Sequence, residues 1–499
     1  MAMIKKKVLL ILAIVTAAAM SVSVTACLAS NNASVSSETE VQTQTEDITT
    51  SEEISNTEDG GHAIEVSGDE ASYSNIKVTK TGDSSSGDEA DFYGDNAAVF
   101  ATDGATLTLE DIVVDTNGKH ANAVFSYGSG TTVNISNSKI TTSGNCSGGL
   151  MTTGGGTMNA TDLNIHTSGN SSAAIRSDRG GGTVNVDGGT YVTDGTGSPV
   201  IYSTADITVS NATIESTRSE GVVVEGKNSV TLNNVSLTAD NNAHNSNKSE
   251  NYKAVMIYQS MSGDASVGLA TFTMTGGSIT NKNGDVFFVN NTSATITLEN
   301  AEIINQDTDG VFLRAAAAGW GTEGSNGGKV NLILKDQNQT GDIVVDKVSA
   351  LNLYLSEGTT YTGTVNGANE GEVYVEIESG SKWVLTGDSY ITGLTCDAGS
   401  IDLNGYKLYV GSTEYSADTA STGTAITIVS ESSSGKPDGM PGEPPSGDKP
   451  DGEKPSGDFP GDPPSGDKPQ GDPPSGDPPS GSPGGNGGEP PAKPSEKTT

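Results

Sequence analysis

Val230-Thr231-Leu232-Asn233-Asn234 decides the fold. It reads apolar, Thr, apolar, and then, two positions on, a residue that accepts a left-handed backbone. The same pattern stands at Leu107-Thr108-Leu109, Val133-Asn134-Ile135, Met158-Asn159-Ala160, Val184-Asn185-Val186, Ile207-Thr208-Val209, Phe272-Thr273-Met274 and Ile296-Thr297-Leu298, and Val330-Asn331-Leu332 continues it. Alternation with a period of two marks a strand with one buried face. The closing residues are Asp111, Asn137, Asp162, Gly188, Asn211, Asn234, Gly276 and Asn300. Asp, Asn and Gly visit positive φ at least cost, so a tight corner belongs at each. Successive corners lie 26, 25, 26, 23, 23, 42 and 24 residues apart.

A second strand follows each corner, with an inward column of Val114, Ile140, Ile165, Val192, Ile214, Leu237, Ile279 and Ile303. A third follows a polar turn, with Val124, Leu150, Ile175, Val200, Val222, Val255, Val286 and Val311. Three short strands per coil of about 22–26 residues predict an all-β solenoid, a single parallel β-helix over residues 59–430. This resolves a contradiction in the composition. Only 33% of residues are hydrophobic and the net charge is −37, values that averaged over the chain lean towards disorder. A coil needs only a few inward apolar side chains, because its neighbours complete the burial.

The ends read differently. Lys5, Lys6 and Lys7 precede an apolar run from Val8 to Met20 and then Val24-Thr25-Ala26-Cys27, a signal peptide over 1–26. The run is short for a spanning helix, which needs ~20 residues. Val-Thr-Ala-Cys resembles the lipobox of bacterial lipoproteins. That resemblance implies an acylated Cys27 and a place at the outer face of the cell membrane. Residues 27–58, acidic and rich in Ser, Thr and Glu, read as a disordered tether, and residues 431–499 as a disordered tail rich in Pro, Gly, Ser and Asp. Eighteen of the 19 prolines stand at or beyond Pro437. Collagen is excluded because Gly does not recur at every third position.

The repeats at 121–125, 172–180 and 219–228 (Ala-Asn-Ala-Val-Phe, Ser-Ala-Ala-Ile-Arg-Ser-Asp-Arg-Gly and Ser-Glu-Gly-Val-Val-Val-Glu-Gly-Lys-Asn) resemble those of secreted bacterial β-helix proteins. These belong to the broad pectate-lyase-like superfamily, and within it the chain looks like adhesin-like surface lipoproteins of Gram-positive bacteria. The resemblance implies a right-handed coil. It says little about activity, because such folds host lyases, hydrolases and binding proteins alike.

Candidate sites follow from the alternation. If Val124 and its equivalents point inward, the next residues, including Phe287 and Phe312, point outward and form an apolar stripe. The stripe is either roofed by loops or a ligand face. The long segments 240–252, 259–270 and 314–328 are expected to gather around Tyr258, Phe287, Phe312 and Trp320, which makes these four the candidate sugar-stacking residues. Arg176, Asp178, Arg179 and Glu225 are the weak catalytic candidates, against the plainer reading of a salt-bridge ladder. Asp88, Glu89, Asp91 and Asp95 crowd one loop and are a candidate calcium site. The histidines are dispersed without metal-ligand spacing, and Cys146 and Cys396 lie too many coils apart to bond. Four arginines in an acidic chain argue against nucleic acid as a partner. The expectation is a monomeric, membrane-anchored, glycan-binding or adhesive surface protein. The alternatives are a polysaccharide lyase or glycoside hydrolase, and a structural envelope spacer.

Overall fold

The computed structural model describes residues 48–246, 248, 251–260, 262–416 and 423–428. The expected signal peptide, Cys27, most of the tether and the tail from 431 lie outside the described residues. Three parallel sheets of ten, eleven and thirteen strands form the three faces of a parallel β-helix; through most of its length each coil gives one strand to each, and towards the end a four-stranded parallel sheet takes over one face. The first sheet runs from Glu52–Asn56 to Glu302–Asn305, the second from Ile64–Ser67 to Ile343–Val345, the third from Glu70–Ser74 to Gly393–Cys396. The solenoid therefore starts earlier than expected: Glu52–Asn56, assigned to the tether, pairs in register with Ile76–Lys80. At the far end Leu408–Val410 turns back antiparallel onto Thr413–Glu414, and Tyr415 closes the core.

The corners fall where the pattern puts them. Asp111, Asn137, Asp162, Asn211, Asn234 and Asn300 all have φ near +50°, between 49° and 54° apart from Asn137 at 48°. Two inward columns need correcting. Tyr191 pairs with Ile165 and Ile214 and is fully buried, so Tyr191 and not Val192 faces inward. On the second sheet, the inward column runs Ile175, Ile201, Val222, Val255, Phe287, Leu313. Val200, Val286 and Val311 stand one or two positions before the inward residue. The valine stands beside an aromatic at Val192, Val286 and Val311 and beside Ile201 at Val200, and a one-residue slip turns every side chain over.

A further column has no counterpart in the apolar pattern. Gly118, Gly144, Gly169 and Gly195 occupy the same turn of successive coils. A β-carbon on any of them would come well inside 3.0 Å of the glycine carbonyl oxygen in the preceding coil. Those carbonyls accept hydrogen bonds from serines of the following turn, Ser147 to Gly118 at 2.8 Å, Ser172 to Gly144 at 3.1 Å and Ser198 to Gly169 at 2.8 Å. Stacked glycines let the turns close to the ~4.8 Å spacing of the sheets.

Candidate functional site

The outward face of the second sheet carries the stripe. Its column reads Phe100, Phe125, Met151, Arg176, Tyr202, Val223, Met256, Phe288, Arg314. Phe287 and Phe312, expected here as ligand-stacking residues, lie instead in the interior at 0% and 1% exposure. Their rings pack edge to face, 5.8 Å apart, and Phe287 meets Phe272 at 5.4 Å. Phe288 takes the outward place. The slipped register accounts for the error at Phe287, and Phe312 fills the corner just before the inward Leu313.

The stripe is roofed by segments that leave the coil. Residues 87–93, expected to be a loop, form a short helix, Gly87–Tyr93, capped by Ser86. It lies over Phe100, Phe125 and Met151, which form a small outer core with Ala97 and Tyr127. Thr153 donates to the Phe92 carbonyl at 2.7 Å, and Tyr93 stacks edge-on to Tyr127 at 5.8 Å. Farther along, Val223, Met256 and Tyr258 form a second outer core with Tyr202 and Trp320. The insertions meet one another there: Gly319 N–H donates to the Lys248 carbonyl at 2.9 Å, and Trp320 abuts Tyr258 edge to face at 5.1 Å. The expected gathering thus holds around Tyr258 and Trp320 for 240–252 and 314–328, whereas 259–270 reaches Arg179 through Asp264.

A polar ladder runs between the two outer cores. Arg176 binds Asp178 at 2.6 Å and lies 3.8 Å from Asp91. Arg179 binds Asp264 at 2.7 Å, from the 259–270 insertion, with its guanidinium 3.9 Å over the Phe92 ring. Tyr202 and Tyr258 both donate to one oxygen of Glu225, Tyr258 at 3.1 Å. Arg176, Asp178, Arg179 and Glu225 are thus each engaged by protein groups. Burial pushes the Asp178 carboxyl up to about 6, against the opposing pull of Arg176. Burial, reinforced by Glu225, also holds both tyrosine hydroxyls well above their usual range, so they remain donors.

The four acids proposed for calcium do not converge. Asp88 and Glu89 are exposed in the first turn of the helix, where they complement its positive end. Asp91 turns to His120, and Asp95 accepts from Ser84 at 3.3 Å. A calcium ion needs 6–8 oxygens around one point. Formation of the helix splits the cluster. The dispersed histidine and cysteine behave in the opposite way. Asp91 Oδ1 lies 3.1 Å from His120 Nδ1, and Asp91, His120 and Cys146 each bring one donor atom within 4.8 Å of the others. Cys146 and Cys396 form no disulfide with each other, and burial raises the Cys146 thiol with the help of the Asp91 charge.

Among the concavities of the described residues, two bear on the site. A shallow groove of about 380 Å³ follows the third sheet along Asn159, Asn185 and Thr208. Its amides are occupied with one another, Asn185 donating to Asn159 at 3.0 Å and Asn159 to Asn134 at 2.9 Å. The other is a cleft of about 110 Å³ at the second outer core, bordered by Tyr202, Glu220, His244, Lys253, Tyr258 and Trp320. Lys253 pairs with Glu220 at 3.3 Å on its wall. The cleft combines aromatic faces with charged and amide groups; the groove has no aromatic.

The class defined by this architecture is the parallel β-helix with a loop-roofed outer face. No protein-family model, curated protein or solved structure matches the chain. The site's own chemistry therefore carries the functional reading.

Proposed function

We propose that the chain is a cell-surface lipoprotein, held at the outer face of the membrane through acylated Cys27, whose β-helix recognises carbohydrate at the Trp320–Tyr258 cleft. In this reading it is an adhesin-like member of the pectate-lyase-like superfamily. The observation that carries the reading is the cleft's composition. Trp320 is half-buried and Tyr202 lines the same wall, with the Glu220–Lys253 pair and Asn241 beside them. Sugars offer an apolar face of C–H groups and a rim of hydroxyls, which suits aromatic faces bordered by charged and amide groups. At about 110 Å³ the cleft takes one ring docked from outside and not an enclosed oligosaccharide.

The test is to incubate the mature protein and its Trp320→Ala variant with a panel of polysaccharides, scoring capture and product release together. Capture by the wild type, lost in the variant and without product, is the expected result. Unsaturated or reducing ends would replace this reading with the lyase or hydrolase. Neither capture nor release would leave the envelope spacer.

A further inference from the structure

We propose that Asp91, His120 and Cys146 form a binding site for a divalent transition metal of the zinc type. The solenoid brings together what the sequence keeps apart. His120 and Cys146 occupy the same corner of successive coils, each with φ of 57°, a column continued by Ser171 at 55° and Gly197 at 66°. Backbone hydrogen bonds fix that register: His120 N–H to the Asn145 carbonyl at 2.9 Å and Cys146 N–H to the Asn170 carbonyl at 2.8 Å. Equivalent corners are ~4.8 Å apart, so the imidazole and the thiol stand side by side. Asp91 arrives from the roof, on the helix Gly87–Tyr93.

The geometry is close to that of a metal site. All three donor atoms lie within 4.8 Å of one another, and the Asp91 to His120 contact is already 3.1 Å. Zinc bonds of about 2.0–2.3 Å in a tetrahedron set ligand atoms roughly 3.5 Å apart, so closure needs side-chain movements of about 1 Å. The second oxygen of Asp91 lies 3.8 Å from Arg176, which is itself held by Asp178 at 2.6 Å. Such an outer partner keeps a carboxylate monodentate and oriented. Charge also balances. Asp91, Asp178 and Arg176 leave one net negative charge, Cys146 adds another when its thiol proton leaves to solvent, and a dication neutralises both.

The donor set selects the class of metal. One nitrogen, one sulfur and one carboxylate oxygen suit zinc or cobalt, whereas calcium and magnesium require oxygen throughout. Three protein ligands leave a fourth position for water or an incoming group. Bound there, the metal ties the helix to two coils and locks the roof over Phe125 and Met151.

Cobalt(II) titration of the reduced full-length protein tests this directly. The expected result is a thiolate-to-cobalt charge-transfer band and the intense visible bands of tetrahedral cobalt, saturating at equimolar metal and bleached by zinc. Cys146→Ser should abolish the charge-transfer band, and His120→Ala should weaken binding at least tenfold. Cys27→Ser and Cys396→Ser should retain the full spectrum. Cys146→Ser keeps the fold testable, because Ser171 occupies the equivalent corner. Absence of both bands in the wild type, or their survival in Cys146→Ser, would overturn the proposal.

Discussion

Gly144→Ala should break the coil stack locally. The φ of Gly144 is not in the left-handed region, so the constraint is space alone. An added β-carbon would sit well inside 3.0 Å of the Gly118 carbonyl oxygen and 2.9 Å from Ser147 Oγ. The serine can rotate, but the carbonyl is backbone already bonded to that serine at 2.8 Å. Relief therefore requires the two turns to part by roughly 1 Å, an overpacking that costs about 1–3 kcal/mol. Parting also stretches the Ser147–Gly118 and Ser143–Thr116 hydrogen bonds, the latter 2.9 Å long. Each such bond contributes about 0.5–1.5 kcal/mol. The expected loss is about 2–6 kcal/mol, confined to the coils on either side because each repeat touches only its neighbours. Long solenoids need not unfold in one step, so native-state hydrogen exchange read coil by coil is the suitable assay. Amides around 116–147 should lose protection, and those at Ala350–Ser356 should keep it. Gly104→Ala is the control: its φ is +80° and a β-carbon there meets nothing within 4 Å, so only the left-handed strain of about 1–2 kcal/mol applies. Equal effects at the two glycines would refute the stacking argument.

Four other outcomes are expected. Phe287→Ala should cost about 3–5 kcal/mol by chemical denaturation, because it empties a fully buried site between two rings. Trp320→Ala should cost far less stability yet weaken glycan capture by about 2 kcal/mol, and the reverse order would remove Trp320 from the ligand face. Asp178, pushed up to about 6, takes up its proton in the folded state before the unfolded chain does, so its linked stability is present at low pH and lost as pH rises through that value. The melting temperature of the wild type relative to Asp178→Asn should therefore rise as pH falls from about 7 to about 5, and a flat difference would contradict the assigned burial. Cys27→Ala should release the protein from membrane fractions and abolish acyl labelling; retention of both would refute the lipobox.

How much was legible depends on which residues the coil itself fixes. The corners were readable because only Asn, Asp or Gly sits easily at φ near +50°, and they recur at one-coil spacing. Tyr191 was readable too: it follows its corner, Gly188, by three residues, as Ile165 follows Asp162 and Ile214 follows Asn211. Val192 is the more hydrophobic of the pair, but the spacing singles out Tyr191. Phe287 and Phe312 were harder, because the turn before the third strand varies in length and fixes no register. The glycine column carried a clear signal, at 118, 144, 169 and 195, yet a search for apolar periodicity passes over it. Glycine marks there a contact between backbones and not a side chain in the core.

The same logic separates the two parts of the outer face. In a solenoid the lateral neighbour of a residue stands one coil further along the chain. His120 and Cys146 are 26 residues apart, the spacing of their coils, so their adjacency follows from the repeat alone. Ligand-spacing rules for metals assume a helix or a hairpin, and they find nothing at such a distance. Asp91, Asp264 and Trp320 come from insertions, whose path no repeat dictates. What calls the insertions back is the exterior column itself. Phe125, Met151, Val223 and Met256 point outward from a rigid sheet, and leaving them in water would forgo roughly 1.5–3 kcal/mol for each of the larger side chains. Segments long enough to return therefore fold over the stripe, and their polar residues meet the ladder of Arg176, Asp178 and Glu225. The apolar stripe builds the roof, and the candidate sites lie at the places where that roof meets the coils.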